Sequence, residues 1–593
     1  MNNLDTIRLT VPKQELEQGR FFDNGEAAVS AWVAKLPMTN VGQTTRMLFQ
    51  ALAELNTVKL LPSVRMAMLD QLRTPIYYIS NALSKHFLNQ PIVLPTKSRK
   101  VAALDIEIHQ LLATGYLLVA THSIALASSK DNVQSQIASA LHRVITEHSR
   151  NIQRQFQLYE PATSHSWHDL HQFYCLAKQQ GVLNQMVDDQ EFGRCTVEES
   201  YIRVLLLGCS KPNQLRQDDL ERLFKPATTW AAYCTLNTGD NNSLFLVDLQ
   251  GDKPAIYREL YKSPVDPQSI GLNTEKLSEH LSQVRQDTDP GKLNITIDDC
   301  LISNDLLSHL IVAWSLTANR SFIRLVTNGQ LEMCVGLSTA HHFLSGEANF
   351  ESLIDEPGGT AYSVQNENRF MEIKSNPVRQ KDVWDSPYEA NLRESNPALQ
   401  SIDYQVRNSK KNTPVAANKY NSYPVKMMNS SDNGYCIEVP DETGLQVKAG
   451  EIIGIKESGK DNWTTAVIRW VSHNSGETSQ LGIELISANA SPFGARIMAK
   501  TGGKTEYVRV ILLPEIATLN QPDTLLTPRF PFRSGQKLTL NQYGKRRQIR
   551  LGEKLNKTGT YNQFEIQEVA ILRQQIDENN AENGEFDSLW NQL

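Results

Sequence analysis

The chain has 593 residues, of which 40% are hydrophobic and 21% are charged, so it is long enough for several globular domains, each with its own core. Its formal net charge of −6 argues against a general nucleic-acid binder, which usually carries an excess of basic residues. The seven cysteines are scattered and include no Cys-x-x-Cys pair, which predicts reduced thiols in a cytoplasmic protein rather than a disulfide framework or a zinc site.

Residues 1–235 are predicted to form a helical domain, either a bundle or an array of helix hairpins. A helix from Ser63 is expected to kink or stop at Pro75, because proline removes a backbone donor. Two longer helices are predicted over Val101–Ala120 and Val133–Phe156, the second with a charged outer face.

The sequence of this region predicts no targeting or membrane segment. The amino terminus lacks the basic start and apolar core of a signal peptide. The most apolar window, 111–128, contains threonine, histidine and serine and is predicted to be a buried helix, so no transmembrane segment is expected.

Residues 236–318 are predicted to be a mixed α/β segment. Ser243–Leu249 is a predicted strand that can pair with Ala255–Tyr257. Helices are predicted over Leu272–Val284 and Asp305–Thr317.

The remaining chain is predicted to be rich in β-strands. Short runs of alternating or β-branched residues, separated by Gly, Asn and Ser, predict strands before and after the polar stretch 429–434. One barrel is expected to combine 319–345 with 421–500, interrupted by an insertion at 346–420 rich in Pro, Asn and Ser. A β-rich domain over 501–573 and an acidic tail over 574–593 follow. The fold class is therefore multidomain α+β.

The stretch Asn429-Ser430-Ser431-Asp432-Asn433-Gly434 is the most informative local feature. Asn and Asp side chains can hydrogen-bond their own backbone there, and Gly434 can take a positive φ. An ordinary hairpin turn between two strands would use the same residues, and this alternative stays open.

The spacing Asn429-x-Ser431-x-x-Gly434 resembles the motif of the PilZ family, small β-barrels that bind cyclic di-GMP. The strands that follow, with Val467-Ile468-Arg469-Trp470 and Leu481-Gly482-Ile483-Glu484-Leu485, are similar to the rest of a PilZ barrel. The resemblance implies an antiparallel β-barrel that uses Asn429, Ser431 and Gly434 for the nucleotide.

The other half of that family's motif is Arg-x-x-x-Arg, which Arg320 and Arg324 match. Guanidinium groups bind phosphates and the O6/N7 edge of guanine, so both arginines are predicted ligand contacts. The same spacing occurs at Arg150/Arg154, Arg529/Arg533 and Arg546/Arg550. Arg320/Arg324 is preferred because it precedes the motif and leads into the predicted strand Gln330–Leu337, which is expected to pair with Tyr423–Met428 or its neighbours.

Two other chemistries are disfavoured by the sequence. His165, His168 and His171 could suggest a metal site, but two ligands on one helix face are too few, so no metal is expected. Gly336–Ala340 resembles part of a nucleophile elbow but lacks the second glycine. With no Walker loop or dinucleotide fingerprint in the sequence, the chain is predicted not to be an enzyme.

The whole layout resembles the long FimW-like members of the PilZ family, which are tied to type IV pili. The resemblance implies a cyclic di-GMP effector in surface attachment, with a protein partner in the pilus or polar machinery and recruitment to the cell pole. The alternative is a PilZ-like adaptor that does not bind the nucleotide.

Overall fold

The computed structural model describes residues 9–126, 131–238, 243–261, 269–288, 294–315, 325–354, 420–431, 433–440, 444–474, 478–498, 506–515, 522–558 and 560–569. Two compact units share the chain. The first comprises 1–323, 438–449 and 469–481, and the second comprises 324–437, 450–468 and 482–593.

Helices dominate residues 9–315. The helices described there are α1 (Glu26–Val33), α2 (Val41–Leu55), α3 (Pro62–Ser84), α4 (Thr96–Leu126), α5 (Asp131–Gln157), α6 (Ser166–Gln179), α7 (Val197–Cys209), α8 (Gln217–Phe224), α9 (Pro226–Trp230), α10 (Glu275–Gln286) and α11 (Asn304–Ser315). The helix predicted from Ser63 does not stop at Pro75, because α3 continues for nine residues beyond it to Ser84.

Short antiparallel strands are placed among these helices: β1 (Met186–Asp189), β2 (Gly193–Thr196), β3 (Thr235–Thr238), β4 (Phe245–Val247), β5 (Ile256–Tyr257), β6 (Ile270–Asn273), β7 (Asn294–Ile297) and β8 (Cys300–Ser303). The predicted pairing near residue 250 is confirmed, with Phe245 opposite Tyr257. One hydrophobic cluster extends from Val29 to Trp314, so the residues on both sides of position 235 share a core.

Helix α5 differs from its prediction in its surroundings. The predicted charged outer face was wrong, because the side chains from Ala140 to Gln157 are all buried. Glu147 on this helix accepts from Arg73 of α3 at 2.7 Å, and its other oxygen lies 2.8 Å from His109 Nδ1. Arg154 pairs with Asp105 of α4 at 2.9 Å. The charges that indicated a solvent face instead form an ionic network between helices.

The first barrel is closed by six strands: β9 (Leu325–Val335), β10 (Tyr423–Ser431), β11 (Gly434–Pro440), β12 (Ile452–Glu457), β13 (Thr464–Asn474) and β14 (Thr478–Ser487). Around the barrel the order is β9-β10-β11-β14-β13-β12. The expected pairing of the segment before the insertion with Tyr423–Met428 is confirmed, because Met333 lies opposite Tyr423 and Gly329 opposite Met427. The predicted strand ends at Val335, since Leu337 begins a helix.

A second closed barrel follows: β15 (Ser491–Ile497), β16 (Val508–Leu513), β17 (Thr524–Pro528), β18 (Lys537–Gln542), β19 (Lys545–Lys557) and β20 (Tyr561–Glu568). Its order, β15-β16-β17-β20-β19-β18, repeats the connectivity of the first barrel strand for strand. The predicted end of the first barrel at residue 500 was wrong, because β15 pairs with β16 and β18 of the second barrel.

Two short helices, α12 (Leu337–Leu344) and α13 (Phe350–Leu353), follow β9 in the chain and pack against the second barrel. Helix α12 packs against β12, β15 and β16, and its Ala340 belongs to a cluster with Ile452 and Ile511. The predicted insertion was placed too early at residue 346, because α13 and the residue after it contact the second barrel. Tyr543 N donates to Leu353 O at 2.5 Å, and Asn541 Nδ2 donates to Ile354 O at 3.2 Å. Residues 355–419 lie outside the described residues.

Candidate functional site

The motif residues occupy the end of β10 and the start of β11. Asn429 and Ser430 are strand residues that pair with Val326 and Leu325 of β9, so only the residues after Ser431 form the turn. The register shifts between Met427 and Asn429, as in a β-bulge. Bulges bend a strand and redirect its side chains, and they are common next to binding sites.

Hydroxyl contacts hold this end of the barrel. Thr327 Oγ1 and Ser430 Oγ lie 2.7 Å apart across the β9–β10 pair. Ser431 Oγ donates to Gly434 O at 3.2 Å, and Leu485 N of β14 donates to Asn433 O at 2.8 Å. The turn is therefore held by β9 on one side and by β14 on the other.

Gly434 is required for a different reason from the one expected. Gly434 does not adopt the positive φ that a turn glycine can take. A Cβ atom at this position would lie 2.1 Å from the carbonyl oxygen of Ile483. Only glycine allows the backbones of β11 and β14 to approach this closely.

Arg320 and Arg324, the predicted arginine half of the site, lie outside the described residues. The first described residue after them is Leu325, which begins β9 opposite Ser430. The pair Arg150/Arg154 is buried in α5, where Arg150 lies 3.2 Å from Glu221 and Arg154 pairs with Asp105. These two arginines therefore belong to the ionic network of the helical region.

Sequence reasoning missed two features at the motif. Val326, directly opposite Asn429, is 88% exposed although it is aliphatic. The Thr327–Ser430 contact joins the two strands next to it. Only the strand register could have revealed either feature, and a one-residue change of register would move both residues to the other face.

Sequence reasoning also missed how barrel segments contribute to the first unit. Leu445 O accepts from Ile92 N at 3.0 Å, Tyr159 O accepts from His473 N at 2.8 Å, and Ala449 O accepts from Arg216 Nε at 3.3 Å. A cleft of about 70 Å³ lies beside these contacts. None of Asn429, Ser431 and Gly434 lines this cleft.

The histidines weighed as metal ligands have other partners. His171 Nδ1 lies 2.7 Å from the hydroxyl of Tyr201, and its Nε2 lies 3.0 Å from Lys253 O. The backbone amides of His165 and His168 donate to Asp252. Among the described residues, no group of three or more His, Cys, Asp or Glu side chains could hold a metal ion.

The helical region contains a Cys-His-Asp arrangement that the sequence did not reveal. His142 Nε2 lies 3.2 Å from Cys195 Sγ, and its Nδ1 lies 3.6 Å from Asp189. All three side chains are buried. Burial raises the pKa of the Cys195 thiol to about 11, whereas a nucleophilic cysteine requires a lowered pKa. This arrangement contributes to the core.

A closed six-stranded barrel with Asn-x-Ser-x-x-Gly between its second and third strands defines a PilZ-type β-barrel protein. The comparisons with known proteins agree. Residues 27–241 match the N-terminal domain of the cyclic-di-GMP receptor FimW, 244–492 its middle PilZ domain, and 493–569 its C-terminal β-barrel domain.

A curated relative covers the entire chain. The chain is 31% identical over 620 aligned positions to the cyclic-di-GMP receptor FimW of Pseudomonas aeruginosa, with 100% of both proteins covered. The chain belongs to the FimW family. No solved structure matches it. In the described part of the chain, no helix combines the length and the apolar character needed to cross a membrane.

Proposed function

We propose that this protein is a receptor for cyclic di-GMP and that Arg320, Arg324, Asn429, Ser431 and Gly434 form its binding site. The observation that carries the proposal is the register of β9 and β10, in which Leu325 lies opposite Ser430. The chain enters the barrel at Leu325, the residue after Arg324, although 106 positions separate Arg324 from Ser430 in the sequence.

Covalent geometry supports the arginine half of this site. Consecutive Cα atoms are about 3.8 Å apart, and antiparallel partners are separated by about 4.5–5.5 Å. Because Arg324 is bonded to Leu325 and Ser431 to Ser430, the Cα atoms of Arg324 and Ser431 are at most about 13 Å apart. A long guanidinium side chain and a ligand between the two can span this distance.

The site chemistry suits an anionic guanine dinucleotide. Guanidinium groups can bind the phosphates bidentately or the O6/N7 edge of guanine, and can stack on the base. The Asn429 amide and the Ser431 hydroxyl offer neutral donors and acceptors at the end of β10. This set binds and orients a ligand, so we expect binding without turnover.

Calorimetric titration tests the proposal. We expect cyclic di-GMP to bind with a Kd of about 1 μM or tighter, at a ratio of one or two ligands per chain. Saturable binding without hydrolysis of the nucleotide would support a receptor. Complete absence of binding at low salt would remove the receptor function and favour the adaptor.

Arg324→Ala is expected to weaken binding by about 1–3 kcal/mol, the usual contribution of one bidentate contact. Arg533→Ala, at an exposed position in the second barrel, is the control and should change affinity by less than about 0.5 kcal/mol. Arg150→Ala is unsuitable as a control because Arg150 is buried and ion-paired. Loss of affinity in Arg546→Ala or Arg550→Ala instead would move the site to the second barrel.

The wider role we propose is in bacterial surface attachment through type IV pili. The helical region would engage a protein partner of the pilus or polar machinery, with recruitment from the cytoplasm to the cell pole. Cells that carry Arg324→Ala should then fail to attach while making normal amounts of the protein. Normal attachment by these cells would separate the protein's cellular role from the nucleotide.

One observation favours the alternative of an adaptor that does not bind the nucleotide. The contact between Gly434 and Ile483 O explains the motif glycine by packing alone. A barrel could therefore keep this glycine without a ligand, and the same titration distinguishes the two functions.

A further inference from the structure

The second barrel concentrates positive charge within an acidic chain. Residues 493–569 contain 13 Lys and Arg against 6 Asp and Glu, a net charge of +7, whereas the whole chain carries −6. Because the barrels share one connectivity, the corresponding positions can be compared. The connection between β16 and β17, 514–523, contains no Ser-x-x-Gly, and 487–490 before β15 contains no arginine. The extra charge is therefore not a copy of the first barrel's motif.

Strands β18 and β19 present part of this charge on one face. Lys537 lies opposite Arg550, and Asn541 lies opposite Arg546. Side chains alternate along a strand, and the intervening Leu538, Leu540, Ile549 and Leu551 fill the barrel core. Lys537, Arg546 and Arg550 are all exposed, and we call them the basic face. Arg546 and Arg550 are about 13 Å apart along β19.

Arg547, on the same strand, shows what satisfies a cation in this barrel. It lies 2.8 Å from Glu568 and 3.6 Å from Asp523. Carboxylates are thus the partners that the fold supplies to this arginine. A closed barrel has no strand edge for β-sheet addition, so a partner of the basic face must bind through its side chains.

The chain contains a segment of the complementary charge. Residues 577–587 include five acidic residues, and 574–593 contains no Lys or Arg. Strand β20 ends at Glu568, and Gln567 lies opposite Arg550. The chain thus leaves the second barrel beside the basic face. Eight residues lie between Glu568 and Asp577, and these nine Cα–Cα steps can span about 30 Å, which is more than the length of the face.

We propose that the basic face of the second barrel binds the acidic segment 577–587 of the same chain. A long polyanion such as DNA is a poorer occupant, because the rest of the chain is acidic and repels it. A short acidic peptide needs only the local charge.

Zero-length crosslinking of carboxylates to amines in the full-length protein tests this proposal. At low salt, mass spectrometry should identify crosslinks between Lys537 and the acidic residues of 577–587. They should disappear at about 0.5 M NaCl, where the Debye length is about 4 Å. In a mixture of isotopically light and heavy protein, each crosslink should join two light peptides or two heavy peptides, as expected for crosslinks within single chains. Mixed crosslinks would show binding between copies and overturn the proposal.

Two variants separate the basic face from general charge effects. Arg546→Glu/Arg550→Glu should reduce the crosslinks to the high-salt level. Lys35→Glu/Lys460→Glu makes the same change of net charge at two exposed lysines elsewhere and should leave them unchanged. Amide replacements of the five acidic residues in 577–587 leave the barrel untouched, so a folding defect in the first variant cannot obscure the result. In these amide variants, Lys537 should react faster with an amine-reactive reagent than in the parent protein. An unchanged reaction rate of Lys537 would overturn the proposal.

Discussion

At the scale of single residues, Gly434 shows how the sequence can single out a glycine for a reason other than the structural one. The sequence pattern indicated a glycine that a turn needs, and the expected cause was a positive φ. In the structure the cause is the 2.1 Å approach of a Cβ position to Ile483 O. The sequence could not show this contact, because it depends on which strand lies beside β11.

Gly434→Ala should therefore destabilise the second unit by at least about 2 kcal/mol, since the added methyl meets backbone and not a movable side chain. Denaturant unfolding of the full chain measures this change. Gly42→Ala is the control, because the nearest atom to its added Cβ is 3.9 Å away and alanine favours a helix. Equal stability of the two variants would contradict the packing explanation.

At the scale of secondary-structure elements, α5 shows that a row of charged residues along a helix does not by itself indicate a solvent-exposed face. Arg143, Glu147, Arg150 and Arg154 recur at spacings of three and four, which places them on one side of a helix. Such a side usually faces water. Here α3, α4 and α8 supply partners for it, and the sequence of α5 alone contains no record of those neighbours.

Arg73→Met should destabilise the first unit by about 3–5 kcal/mol, because it leaves the buried carboxylates of Glu147 and Asp189 without this cation. Arg194→Met is the matched control. Arg194 forms an exposed pair with Asp188 at 3.5 Å, and its loss should cost about 0–1 kcal/mol. Chemical denaturation measures both changes. An equally small loss of unfolding free energy in the two variants would contradict a stabilising role for the network.

The same network predicts acid sensitivity. Burial would raise the pKa of Glu147, but Arg73 and His109 outweigh it and lower that pKa to about 2. Burial lowers the pKa of His142 to about 3. In both cases the unfolded chain binds protons at a higher pH than the folded chain, so stability falls as pH falls. The His142 contribution is lost from about pH 6.5 to 3, and the Glu147 contribution from about pH 4.5 to 2.

The urea midpoint of unfolding should fall steadily as the pH is lowered from about 7 to about 4. His142→Gln removes one titrating group and should flatten the upper part of this profile. A midpoint independent of pH in the parent protein would show that these groups titrate alike in the folded and unfolded chains.

At the scale of the whole molecule, the order of domains and the pairing of β9 with β10 could be predicted, because strand patterns and the motif spacing are local signals. The second barrel was visible only as a series of strands. Its closure and its repeat of the first barrel's connectivity depend on pairings between distant segments, such as β15 with β18. The arginine half of the candidate site stays a prediction.

The last prediction concerns the long connection between the two halves of the first barrel. Its ends are anchored in the second unit, by the α13 contacts with the second barrel and by the pairing of β10 with β9. Loop-closure entropy grows only logarithmically, and each doubling of length costs about 0.6 kcal/mol. Replacing residues 360–410 with a short Gly/Ser linker should therefore preserve both the unfolding midpoint and the affinity for cyclic di-GMP.

A matched linker in place of 337–353, which removes α12 and α13, should instead destabilise the barrels, because Ala340 and Leu353 are buried. Unfolding of the first variant would show that residues 360–410 are part of the core, and the description of this connection as an insertion would then be wrong.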